Sequence, residues 1–191
     1  NGNAMRRSVT VATAFAFGGV AAVLLYFAPG LQHVGPIAPN HPAWIETKWP
    51  FLMDQWGEGR AYECKAVDCG SELKLYIRSK IGFCSSATGV ADDNELERLG
   101  DFDFMKGASV ALGDGHEVKV GWMKGRLRAY AIASPNRPRA IAISIAYNND
   151  SDALVATVLF NDEQPNAVEP AVIEFLNGEG MLRWVKITLG L

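Results

Sequence analysis

The chain has 191 residues, 49% of them hydrophobic and 20% charged, with 3 cysteines and a formal net charge of −3. These values fit one globular domain plus an additional segment, and they exclude a largely disordered or low-complexity protein. The slightly acidic balance offers no clustered basic face, so no nucleic-acid partner is expected.

Residues 1–7 are expected to be a short cytoplasmic segment, of which 1–4 precede Met5 and are set aside as an upstream extension. "SVTVATAFAFGGVAAVLLYF", Ser8 to Phe27, runs about twenty residues without a charge, enough to cross a ~30 Å hydrocarbon core. Arg6 and Arg7 precede it, and no Lys or Arg follows until Lys48. The positive-inside rule then predicts a single-pass anchor, N-terminus in and C-terminal domain out, with residues 8–27 contacting the lipid bilayer. A cleaved signal peptide is the competing reading. Its apolar core is usually only ~7–15 residues, and Tyr26 stands where a small residue would be needed three places from a cut. The expected location is therefore a bacterial inner membrane with a periplasmic domain. Ala14, Gly18 and Ala22 recur every fourth residue, a small face on which another membrane helix could pack closely.

A spacer is expected over residues 28–47. "APGLQHVGPIAPNHP", Ala28 to Pro42, carries four prolines that stiffen it and hold the domain off the membrane. The next stretch is rich in aromatics: Trp44, Trp49, Phe51 and Trp56. Bulky rings are common core residues, which is the simpler reading; as a patch, Trp44, Trp49 and Trp56 would be a partner contact.

The domain, residues 48–191, reads as α+β: a mainly antiparallel sheet of about six to seven strands with one or two covering helices. In "ELKLYIRS", Leu73, Leu75 and Ile77 alternate with Lys74, Tyr76 and Arg78, the period of a half-buried strand. "ADDNELERLG" predicts a helix capped by Asp92, with Glu95 at the capping-box position and Gly100 at its end. Two hairpins follow. One is expected to turn near Lys124-Gly125, with Val118, Val120 and Trp122 on one face, and the other at Asn149-Asp150-Ser151. "EPAVIEFLNG" predicts a helix with Pro170 at its first position, and "MLRWVKITL" a last strand with Val185, Ile187 and Leu189 aligned. Ala140, Ala142, Ser144 and Ala146 share a small face, with Ala129, Ala131 and Ala133 expected to match it from the preceding strand. The helix Ala171 to Leu176 is the expected cover, and an open ligand pocket is the alternative.

All three cysteines, Cys64, Cys69 and Cys84, fall within 22 residues. Outside the cytoplasm thiols oxidise, and a Cys64–Cys69 disulfide across a hairpin mouth is favoured over the other two pairings, with Cys84 buried and unpaired. The alternative is a thiol or metal site, with Cys64, Cys69, Cys84 and His116 binding copper through soft sulfur ligands. Their spacing matches neither a zinc finger nor a thioredoxin-like pair. No catalytic motif is present in the sequence, and the Asp- and Asn-rich stretches are explained as caps and turns. The expectation is a non-enzymatic interaction module with no cofactor, an accessory or assembly subunit of an integral membrane protein complex. A copper carrier is the second reading.

Overall fold

The computed structural model describes residues 42–82, 90–105, 107–133, 140–161 and 164–191. The chain divides into two units at residue 36, and every described residue belongs to the second. The expected anchor at residues 8–27, with Ala14, Gly18 and Ala22, lies outside the described residues, as does Cys84. Among the described residues no helix is long and apolar enough to cross a membrane.

The elements are β1 (Trp44–Thr47), β2 (Arg60–Cys64), α1 (Ala66–Cys69), β3 (Leu73–Lys80), α2 (Asp93–Leu99), a 3-10 turn (Phe102–Met105), β4 (Ala108–Ala111), β5 (His116–Val120), β6 (Met123–Ala133), β7 (Ala140–Asn149), β8 (Asp152–Phe160), α3 (Pro165–Leu176) and α4 (Glu179–Leu189). The eight described strands form one antiparallel sheet in the order β1-β2-β3-β8-β7-β6-β4, with β5 also paired to β6. The α+β expectation therefore holds. The sheet also takes in Trp44–Thr47, assigned above to the spacer, because β1 pairs with β2 along its whole length.

The sheet has two unlike faces. On one, Ile141, Ile143, Ile145 and Tyr147 of β7 join Leu75, Ile77, Leu154 and Val158 in a core closed by Val168, Val172 and Leu176 of α3 and Met181 and Val185 of α4. On the other, Ala146, Ala153 and Val155 receive Leu96 and Leu99 of α2, while Ala142 packs with Tyr130, Ile132 and Phe102. The cover of the alanine face is thus α2 and the 3-10 turn, not α3. Small side chains on β7 and β8 let a short helix with only two buried leucines come close enough to pack. Asp92 caps α2, accepting the Glu95 N–H at 2.8 Å, and the Gly100 N–H closes the helix on Leu96 O at 2.8 Å.

Several expectations are corrected by register and period. Ala129 pairs with Ile143 and Ala131 with Ile141, so those alanines lie on the isoleucine face and not beside Ala142. "MLRWVKITL" is helical: Met181 and Val185 are buried one turn apart, whereas Ile187 is 73% exposed. The i, i+4 stripe overrides the apparent alternation. α3 begins at Pro165, five residues before the predicted start, and Pro170 lies inside it. Its missing N–H would have bonded Asn166 O; Asn166 is exposed, so water can take that carbonyl's bond. The first hairpin turns at Gly121-Trp122, where Gly121 has φ +59 and Val120 faces Met123. Gly125 belongs to β6 instead, where a Cβ would collide with Ala146 O and Tyr147 Cβ. Trp122 therefore leaves the face it was expected to share with Val118 and Val120; its Nε1 donates to Asn149 Oδ1 at 2.9 Å. The second hairpin turns at Asp150-Ser151, two of the three residues expected, while Asn149 ends β7 and pairs with Asp152.

Candidate interaction surface

The disulfide joins Cys64 at the end of β2 to Cys69 at the end of α1, with Cα atoms 6.0 Å apart. It does not bridge a strand pair: Cys64 faces Leu73, and the link spans the single helical turn between β2 and β3. Left-handed Gly70, φ +74, ends that turn. His116 lies on β5, with Nε2 2.8 Å from Glu169 Oε1 of α3. Five strand spacings separate β2 from β5, about 24 Å. Cys64, Cys69 and His116 are therefore not brought together, and among the described residues no three His, Cys, Asp or Glu side chains converge as a metal site.

The three tryptophans proposed as one patch are also separated. Trp44 belongs to the isoleucine face, its ring 4.8 Å from Phe175, which in turn meets Tyr62 edge-on at 4.8 Å. Trp49 is buried on the opposite side of the sheet, against Phe51 at 5.2 Å and Tyr76 at 6.2 Å. Trp56 is half-buried beneath the Lys80 ammonium, 5.8 Å away.

Trp49 and Trp56 do share one structure, the connection from β1 to β2 over residues 48–59. Phe51 and Tyr76 pack edge to face at 4.8 Å, which lays the start of this connection on β3. Gly59 permits its return, since a Cβ there would collide with Ile77 O, the Trp49 ring and Arg78 Cβ. Between these points Asp54 holds the loop. Its carboxylate accepts both Arg78 Nη1, at 2.8 and 2.7 Å, and the Trp56 N–H at 2.8 Å, and its carbonyl accepts the Gly57 N–H at 3.1 Å.

Behind Asp54 lies a buried ion-pair network. Arg78 donates through Nε and Nη2 to the two oxygens of Asp101, at 2.9 and 2.6 Å. Lys80 Nζ is 2.9 Å from Asp101 Oδ1 and donates to Leu99 O at 2.6 Å. Leu99 ends α2, so Lys80 satisfies one of the carbonyls a helix terminus leaves open. Arg78, Lys80 and Asp101 are 4, 5 and 6% exposed, so removing one partner would strand a buried charge. Burial works to raise the Asp54 carboxyl, but hydrogen bonds from Arg78 and the Trp56 N–H outweigh it and hold the group below the ordinary aspartate range. Burial likewise works to discharge Arg78, and its bonds to Asp101 and Asp54 push the guanidinium the other way. Both groups are fixed in their charged forms, an arrangement suited to holding a loop and not to exchanging protons near neutral pH.

A parallel network fixes α2. Asp93 accepts Arg126 Nε and the Gly115 N–H, the latter at 3.0 Å, and Arg128 Nη1 bonds Glu97 at 2.9 Å. Burial of Asp93 is outweighed by the Gly115 N–H and Arg126, which lower its pKa.

On this rigid base the loop exposes Leu52, 92% accessible, and Met53, 70% accessible. Sequence reasoning selected the tryptophans for their size and passed over Leu52 and Met53. The signal available was that an apolar pair, unlike alternating strand residues, had no partner face to occupy. Asp54, Arg78 and Asp101 also escape sequence reasoning: a charge in a strand, as at Arg78, reads as solvent-facing until its cover is known, and Asp54 and Asp101 lie in connections where a carboxylate reads as a solvated turn residue. No family of known proteins matches this chain, and no curated protein sequence matches it either.

Proposed function

We propose that the protein is a non-catalytic interaction module, held at a bacterial inner membrane by residues 8–27, whose extracytoplasmic domain docks on a larger integral membrane complex. The observation that carries this reading is the contrast within residues 48–59: Leu52 and Met53 stand in water, while a buried network fixes the loop from which they project. Apolar anchors on a preorganised base lose little freedom on binding and carry much of an interface's energy. Tethering adds to this by replacing free diffusion with a high effective concentration. In the membrane, Gly18 with Ala14 and Ala22 would mark the helix face that packs on the partner.

The test is purification of the full chain from native membranes in mild detergent. The expected result is a stoichiometric complex with an integral membrane partner, weakened by Gly18→Ile without loss of the outer domain's fold. A chain that purifies alone, carrying stoichiometric copper, would replace this reading with a metal carrier.

A further inference from the structure

Among the described strands, β1 lies at one edge of the sheet, while β4 and β5 follow one another along β6 at the other. An edge strand offers unpaired backbone N–H and C=O groups to any extended chain, and proteins guard such edges with charges, prolines or bulges. β1 carries Glu46, and β5 carries Glu117 and Lys119. β4 and its flanks, Gly107 to Leu112, read "GASVAL", with neither charge nor proline. The Leu112 N–H donates to Ala129 O at 2.8 Å, in register with the pairing of Val110 to Ala131. Antiparallel alternation then turns the backbone groups of Ala108, Val110 and Leu112 towards β6, and those of Ser109 and Ala111 outward. Among the described residues no backbone group meets that outward side. The side chains of Ala108, Val110 and Leu112 fall on the isoleucine face with Ala129 and Ala131, yet Val110 is 61% and Leu112 41% exposed.

We propose that β4 is the edge through which two copies of this chain pair, antiparallel about a two-fold axis at Val110, so that their sheets become one. In this register Ser109 faces the partner's Ala111, and each backbone N–H donates to the other residue's carbonyl. Val110 meets its own copy as a non-hydrogen-bonded pair, the position where side chains come closest. Charge, size and closure select a second copy as the occupant. A two-fold axis at Val110 sets an unbranched run of β4 against itself, and β4 has no charge that could oppose its like. The large Leu112 falls opposite the partner's Ala108, a small residue, so the exposed apolar row of one copy fits that of the other. Pairing β4 with β1 of another copy would run on head to tail as a filament, whereas the two-fold pairing closes at two. The strand contact is short, so the dimer is weak and depends on concentration. It is independent of whether residues 8–27 span a membrane.

The experiment is sedimentation of the full chain in mild detergent, from micromolar to millimolar protein. The native chain is expected to pass from monomer to dimer as concentration rises. Val110→Lys and Val110→Glu each set like charges against one another across the axis, and each should raise the dimer dissociation constant about tenfold or more. Mixed in equal amounts, the two variants should regain the dimer, because opposite charges then face each other. Val110 is exposed, so both variants keep the fold, and an unchanged thermal melt verifies it. A native chain that stays monomeric throughout overturns the proposal. So does a dimer that both variants retain, which places the contact elsewhere, or one that both lose and the mixture does not regain, which places Val110 off the axis.

Discussion

On the isoleucine face, α3 and α4 close the sheet mainly with apolar side chains, with Glu169 of α3 meeting His116; on the alanine face, Arg78, Lys80, Arg126 and Arg128 rise from the strands and are met by Asp54, Asp101, Asp93 and Glu97. The first cover is held by area removed from water, a non-directional force that adds up residue by residue. The second is held by directional bonds among a few groups, each of which depends on the others remaining in place. The difference explains why loop 48–59 belongs to the alanine face. The loop is laid on β3 by Trp49 and Phe51 against Tyr76, and the Asp54 carboxylate ties its tip to a network that also holds the end of α2.

The contrast is broken most severely at Asp101. Asp101→Ala would leave Arg78 and Lys80 buried without their shared counter-ion, and a loss of about 3–5 kcal/mol is expected in urea unfolding. A loss below about 1 kcal/mol, the level of surface ion pairs, would mean that water reaches this network and the face is not closed. A smaller effect tests the packing of α2 and the 3-10 turn on the sheet. Ala142 is fully buried with Tyr130 and Ile132, so Ala142→Leu should cost about 1–3 kcal/mol by overpacking. An unchanged melting temperature would instead mark an open, ligand-accepting face.

A third change should act in the opposite direction. Ser144 and Thr157 face each other across β7 and β8, and their hydroxyls are buried without a hydrogen-bond partner among the described residues. Thr157→Val keeps the shape and removes an unpaired group, so it should stabilise the fold by about 1 kcal/mol. Destabilisation would reveal a partner for that hydroxyl, such as a buried water.

The pH dependence follows from the same face. Asp54 and Asp93 have folded-state pKa values below the ordinary 3.8. Their contribution is fully present above that value and is lost as pH falls through the lower, folded values. Unfolding followed against pH should therefore show acid destabilisation setting in below about pH 4. At the alkaline end, burial pushes the Tyr130 phenol up to about 12. Its contribution is present below the ordinary value of 10.0 and is lost as pH rises towards 12. A flat profile in the acid range would mean that neither carboxylate is held by its arginine.

The isoleucine face was largely legible in the sequence, because Leu73, Leu75 and Ile77 and the run from Ile141 to Tyr147 carry their period openly. Asp92, Gly100 and the Asp150-Ser151 turn were legible for the same reason: cap and turn chemistry is local. The alanine face was not. Its cover is chosen by which helix lies near Ala146 and Ala153 in space, and α2 is separated from them by some fifty residues of sequence. The α4 error has a related cause, since "MLRWVKITL" satisfies both a two-residue and a four-residue period until burial decides between them. The Cys64–Cys69 pair is legible in the sequence, but "ECKAVDCG" reads as the mouth of a hairpin where the chain forms a helical turn. Of the interaction surface, the sequence marks Trp49 and Trp56 by their size, whereas the setting of Leu52 and Met53 rests on the Asp54–Arg78 tie, a contact more than twenty residues apart.

Under the proposed function, the charged network serves to present Leu52 and Met53 to a partner. The measurement to make is the affinity of the Leu52→Asp/Met53→Asp chain for the membrane partner that the proposed function expects to co-purify with the native chain. A loss of about thirtyfold or more is expected, as for truncating an interface hot spot, with thermal stability changed by no more than about 0.5 kcal/mol because both side chains are already in water. Undiminished affinity with intact stability would contradict it, and would leave the network as a device for folding alone.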